Sequence, residues 1–263
     1  MIEVETFQVT YDFNRWLYTS SDEDLYVAPV TYRAVPITRS EVKISTNDAT
    51  GSFTARFPLD SEFLDLFRVS PPSGIVSLLC KRVDGDNPEN PASTEIIFKG
   101  KITNVQWELG GAEITCESSS QTIKRMGLRR HYQYSCPHML YGGKCLADRS
   151  NFETIGSASN VTGVGLDMVA AIGLPDDYFA GGYIEYAHVS LATTERITVA
   201  SSTGVTITLF SFPVGLASGA EVRAYAGCNR TLDECKTRFD NVANFGGMPF
   251  IPTKNPFGSD PLY

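Results

Sequence analysis

Four cysteines are the residues in this chain best suited to chemistry. Cys136 and Cys145 bound the run Cys136-Pro137-His138-Met139-Leu140-Tyr141-Gly142-Gly143-Lys144-Cys145, with eight residues between the thiols. Cys228 and Cys235 have six residues between them, the first just ahead of a capped helix and the second a turn inside it. Two pairs of thiols, each on a turn or helix start with glycine nearby, are what a four-coordinate site needs. Glycine lets the backbone come close, and the free N–H groups and dipole of a helix start favour thiolate charge. Spacing alone leaves three readings open. Zinc usually shows spacers of two to four residues, which neither pair has. An iron–sulfur cluster also takes four thiolates and suits wider loops, although the ferredoxin spacings are missing. The third reading is plain structural thiols. Two disulfides would need an oxidising compartment, and the acidic start Met1-Ile2-Glu3-Val4-Glu5 is not that of a signal peptide. His138 is near enough to replace a ligand, but a lone loop histidine is more often an ordinary polar residue.

The remaining candidates carry less. Cys80 and Cys116 sit among apolar neighbours in apparent strands and read as core thiols. Asp176-Asp177 and Asp22-Glu23-Asp24 read as acidic turns, and His131, His138 and His188 show no metalloprotease or triad spacing. An enzyme, either a hydrolase or a redox protein, is therefore the alternative and not the leading expectation.

The elements that must position the cysteines are mostly strands. Phe53-Thr54-Ala55-Arg56-Phe57 and Val42-Lys43-Ile44 alternate with period two. Ile75–Cys80, Glu95–Phe98, Lys101–Val105 and Glu113–Cys116 continue a series of short strands between turns, which predicts a barrel or sandwich. Asp60 to Phe67 reads as a helix capped by Asp60, with Phe63, Leu64 and Phe67 on one face. Between about 153 and 226 the texture changes to Gly, Ala, Ser and Thr. There Arg196–Val199 and Val205–Leu209 flank Ser201-Ser202-Thr203-Gly204, a hairpin signal, and Gly181–Tyr186 opens the same sheet. The last helix starts at the capping box Thr231-Leu232-Asp233-Glu234, places Leu232, Cys235, Phe239 and Val242 on one face, and stops at Gly246-Gly247. The Pro-rich end from Phe250 onward is expected to lie extended on a surface.

The chain has 263 residues, 42% of them hydrophobic, enough for one large core or two smaller ones. A net charge of −8 disfavours nucleic acid as a direct partner, despite a basic cluster at Lys124, Arg125, Arg129, Arg130 and His131. No apolar run is long enough to cross a bilayer, so no stable membrane insertion is expected. The chain is expected to be made and folded in a cytoplasm.

Two cysteine-bearing segments carry a resemblance. His131-Tyr132-Gln133-Tyr134-Ser135-Cys136, Leu140-Tyr141-Gly142 and Cys145 form the first. Cys228-Asn229-Arg230-Thr231, Cys235, Arg238-Phe239, Asn241, Asn244-Phe245-Gly246-Gly247 and Pro249 form the second. Together they resemble siphophage baseplate hub, or tail-tip, proteins, relatives of the iron–sulfur tip protein of lambda-like phages and of the gene transfer agent hub. The resemblance is sharpest over 131–152 and 227–252, about a fifth of the chain, and the 153–226 module adds little to it. It implies a mainly β protein with a tail-tube-like β-barrel at 1–130. It implies a clasp built from 131–152 and 227–263, between whose parts the texture of 153–226 reads as an inserted small β module. It implies a [4Fe–4S] cluster, with zinc the alternative, held by Cys136, Cys145, Cys228 and Cys235. It implies a homotrimer at the tail tip of a virion, closing the distal tube beside the distal tail protein, the tape measure protein and other baseplate proteins. The competing functions are a tail-associated cell-wall hydrolase or redox protein, or a zinc-stapled structural protein. Four thiolates around a 2+ core would leave a net charge near −2, which the basic cluster at 124–131 is expected to offset. Closing the 82 residues between Cys145 and Cys228 is expected to stabilise the chain by a few kcal/mol.

Overall fold

A computed structural model describes residues 3–41, 52–85, 94–118, 127 and 131–252. The fold is mainly β, and the chain divides into two units, Met1–Met126 and Gly127–Tyr263.

In the first unit the strands are β1 (Glu3–Tyr11), β2 (Asn14–Thr19), β3 (Leu25–Val27), β4 (Val30–Ala34), β5 (Thr38–Arg39), β6 (Ser52–Phe57), β7 (Ser77–Asp84), β8 (Glu95–Glu108) and β9 (Gly111–Ser118). They form one sheet in the order β3-β4-β2-β1-β7-β8-β9-β6-β5. The sequence predicts a barrel here; among the described residues the sheet has two edges, the very short strands β3 and β5. Short edge strands limit the row of unpaired backbone groups a sheet presents. Alternating positions bury Phe7, Phe53, Phe57, Leu78 and Ile114 on one face. Phe57 sits at the centre, edge-on to Phe7 at 5.8 Å and to Phe63 at 5.0 Å, a favourable geometry for ring quadrupoles. Two strands expected separately, Glu95–Phe98 and Lys101–Val105, are one strand, β8. A bulge between Ile102 and Asn104 absorbs an extra residue opposite β9. Val42–Ile44 lies outside the described residues.

The expected helix from Asp60 is a short 3-10 turn, Glu62–Phe67, preceded by Ser61 and without a side-chain cap. Its apolar residues Phe63 and Leu64 are fully buried, so packing rather than capping holds it. Cys80 and Cys116 are fully buried, and burial pushes each thiol up to about 12.

In the second unit β10 (Glu153–Thr162), β11 (Gly165–Met168), β12 (Tyr183–Ala187), β13 (Thr194–Thr203), β14 (Thr206–Leu209) and β15 (Glu221–Tyr225) close into a barrel in the order β10-β11-β14-β13-β12-β15. Closure pairs the first strand with the last: Glu153 lies opposite Tyr225 and Ile155 opposite Arg223. The β13–β14 hairpin turns at Gly204 and Val205, with Thr203 opposite Thr206. Gly204 takes φ +58°, a conformation glycine adopts without a Cβ penalty. Leu166, Met168, Phe179, Ile184, Ile207 and Val222 fill the interior.

Candidate metal centre

The helix of the clasp is α1 (Leu232–Thr237). Thr231 Oγ1 accepts from the Glu234 N–H at 3.2 Å, satisfying one orphan donor of the helix start. The reciprocal half of the expected box is absent, because Glu234 pairs with Arg238 at 2.8 Å instead. The helix is also shorter than the apolar spacing predicts. Asp240 adopts φ +45°, the chain turns, and the Asn241 N–H reaches back to the Cys235 carbonyl at 2.9 Å. Phe239 is buried by this turn, whereas Val242 begins a separate 3-10 turn and is exposed.

Arg238 fastens the helix to the strand ends, donating from Nη1 to the carbonyls of Tyr178 at 3.1 Å and Gly227 at 2.9 Å. Gly227 is required by space: a Cβ there would lie 1.7 Å from the Ala180 carbonyl oxygen. On the other side, the Cys136 N–H donates to the Arg230 carbonyl at 2.9 Å. The loop between Cys136 and Cys145 is folded on itself by Gly142 N–H to Met139 and Leu146 N–H to Gly142. Tyr141, at φ +57°, is the loop's anchor. Its hydroxyl donates to the Ala226 carbonyl at 2.7 Å, and its ring lies 6.1–6.3 Å from those of Phe152, Tyr183, Tyr225 and Phe239.

These contacts bring Cys136, Cys145, Cys228 and Cys235 to the wall of one cavity, with His138, Leu140, Gly181, Arg230, Thr231, Phe239, Asn241 and Asn244. The empty space at the site is about 490 Å³, its open mouth included. All six cysteines of the chain are free thiols. The sulfurs are half-buried and supplied with hydrogen-bond donors. The Arg230 N–H points at Cys228 Sγ (3.3 Å), the Gly246 N–H at Cys136 Sγ (3.4 Å), and Asn241 Nδ2 at Cys145 Sγ (3.8 Å). Cys235 Sγ instead donates to the Asn241 carbonyl at 3.3 Å. Burial raises the Cys228 thiol, opposed in part by the Arg230 N–H; burial and then the other three cysteines raise Cys235 to about 11. Among the described residues no group of three or more His, Cys, Asp or Glu side chains is gathered closely enough to hold one metal ion.

His138 lines the cavity, with Nδ1 3.1 Å from the Asn244 carbonyl, and its ring packs where a Cβ on Gly246 would be. A carbonyl only accepts, so Nδ1 carries the proton. Lys124, Arg125, Arg129 and Arg130 lie outside the described residues, and His131 is exposed. The acidic turns are structural: Asp177 Oδ1 accepts from Ser202 N–H and Asp24 Oδ1 from Ala34 N–H. His188 accepts from the Ser190 N–H. The sequence reading gave no role to Asn241, Asn244 and the Gly246 backbone, although their motif was on view; their signal was the Asn-Phe-Gly-Gly run after the helix.

Beside the clasp, the barrel wall carries an ionic cluster on Glu185, whose side chain is 10% exposed. It accepts from Arg149 Nη1, Arg196 Nε and the Tyr225 hydroxyl, each at 3.0 Å. Burial alone would raise its carboxyl, but the hydrogen bonds from Arg196 and Tyr225 and the charges of Arg196 and Arg149 hold it below the usual range.

Fold and site together define a mainly β protein with a cavity walled by four cysteines from two distant segments. Residues 10–148 match the family described as baseplate hub protein, N-terminal attachment domain, and the chain belongs to that family. Residues 177–255 match the family described as phage conserved hypothetical protein BR0599. A chain from the virion of a native gene transfer agent particle superposes with a TM-score of 0.75 at 19% identity, covering 99% of this chain and 91% of its own. That likeness concerns the fold. No curated protein sequence matches the chain. Membership of the baseplate hub family makes the protein a component of the phage tail or baseplate.

Proposed function

We propose that this protein is the hub at the distal end of a long phage tail, with a [4Fe–4S] cluster binding its two cysteine segments together. Three copies would close the tube and join it to the receptor-binding tip, against the distal tail protein and the tape measure protein. The observation that carries the reading is the convergence of Cys136, Cys145, Cys228 and Cys235 on one cavity. The donor set fits such a group: four sulfurs on one cavity, three of them facing N–H donors. Cys136 and Cys145 would hold it from the loop, Cys228 and Cys235 from the helix. When bound, the group supplies a redox-capable inorganic cross-link; the chain's own residues position, shield and hydrogen-bond the thiolates. The reading assigns no catalysis.

The test is anaerobic purification followed by iron, sulfide and zinc analysis with a visible spectrum. About four irons and four sulfides per chain are expected, all lost in Cys235→Ser. One zinc without sulfide, or no metal at all, refutes the cluster. Native mass spectrometry tests the trimer, and a monomer at tail-like concentrations refutes it.

A further inference from the structure

We propose that Asn241 is the positioning residue of the clasp, holding one cysteine of each pair and directing an N–H at the Cys145 sulfur. The inference rests on the cluster reading and deepens it. Asn241 is the residue that contacts one cysteine of each segment, one through its side chain and the other through its backbone. Its Nδ2 donates to the Cys145 carbonyl at 2.5 Å and reaches Cys145 Sγ at 3.8 Å, across 96 positions of sequence. Its own N–H donates to the Cys235 carbonyl at 2.9 Å, a backbone contact that holds whether Cys235 is a thiol or a ligating thiolate.

The orientation of the amide follows from the chemistry of its partners. The Cys145 carbonyl can only accept, so the atom facing it is nitrogen, and Oδ1 faces the other way. There Oδ1 accepts from Asn244 Nδ2 at 2.6 Å, and Asn244 in turn offers its carbonyl to His138. The two asparagines thus form a bracket from the helix end to both ends of the Cys136–Cys145 loop. The position needs two donors and one acceptor on a short planar group. Aspartate has the shape without the donors, leucine has neither, and serine is too short. An N–H aimed at a ligating sulfur stabilises its negative charge, so this bond favours the reduced state of a bound cluster as well as its retention.

The experiment compares wild type with Asn241→Asp and Asn244→Ala. With anaerobically loaded protein, iron release to a chelator is timed and the reduction potential measured. Asn241→Asp should lose iron about 10- to 100-fold faster and shift the potential downward; Asn244→Ala, which keeps the donor but frees its orientation, should fall between. A bystander Asn241 gives wild-type lifetime and potential in both variants, and that result overturns the proposal. With cluster-free protein, hydrogen exchange at the Gly142 and Leu146 amides reads the bracket directly. It should quicken about tenfold in Asn241→Asp while the barrel amides of β12 keep their protection. Unchanged exchange overturns the positioning role even where wild type takes up no iron, an outcome that would separately refute the cluster.

Discussion

Tyr141→Phe is a narrow test of how the cysteine loop is held. The substitution removes one oxygen and leaves the ring. In the folded chain that oxygen donates to the Ala226 carbonyl at 2.7 Å, beside a ring packed among four aromatic neighbours. Deleting the donor leaves a shielded carbonyl without its partner, at a cost of about 1–3 kcal/mol. For a unit of this size each kcal/mol moves the melting midpoint by roughly 3–4 °C. Tyr141→Leu removes the ring as well. The total then rises to about 3–5 kcal/mol, the range for truncating a buried aromatic side chain. Guanidinium melts of the metal-free full chain, followed by tyrosine fluorescence and by circular dichroism, give both values. The reasoning is refuted if Tyr141→Phe melts with the wild type, since the hydroxyl would then not anchor the loop. It is refuted equally if Tyr141→Leu costs no more than Tyr141→Phe, since the ring would then contribute nothing.

Glu185 gives a pH prediction. Its folded pKa lies below the usual value of about 4.3, so its contribution is present above that value and is lost as pH falls through the folded pKa. Glu185→Gln should cost about 1 kcal/mol at pH 7, modest because both arginines are half exposed, and should flatten the acid limb of stability measured between pH 3 and 7. Thr231→Ala should cost about 1 kcal/mol by removing the cap of α1, seen in denaturant melts. Gly227→Ala forces a Cβ against backbone and should abolish soluble expression of the second unit; normal yield would contradict the packing described.

Strand-rich character was legible because period-two burial leaves its mark in runs such as Phe53–Phe57. The hairpin over β13 and β14 was legible because Gly204 marks its turn. Helix ends were less legible. Leu232, Cys235, Phe239 and Val242 share a spacing that suits a long helix, yet Asp240 in a left-handed conformation cuts it short, and that preference is local and weak in sequence. Sheet closure was hardest to read. Whether a set of strands closes depends on which edge strands meet, and β10 and β15, which close the second unit, are separated by the whole barrel. The four cysteines were legible by type and grouping. Their hydrogen-bond donors were not, since two of the three are backbone N–H groups that any residue supplies.

The pairing of β10 with β15 places Glu153 and Tyr225 side by side, and the Ala226 N–H donates to the Phe152 carbonyl at 3.1 Å. The chain therefore leaves the clasp and re-enters it through a gap one strand wide. A module attached by adjacent ends can be lengthened at its far loops without moving Cys145 away from Cys228, provided Tyr178, Tyr183 and Tyr225 keep their contacts with Arg238 and Tyr141. Barrel and cysteine site are thus one packed body, in which growth is tolerated at the end of the barrel away from the joined strands.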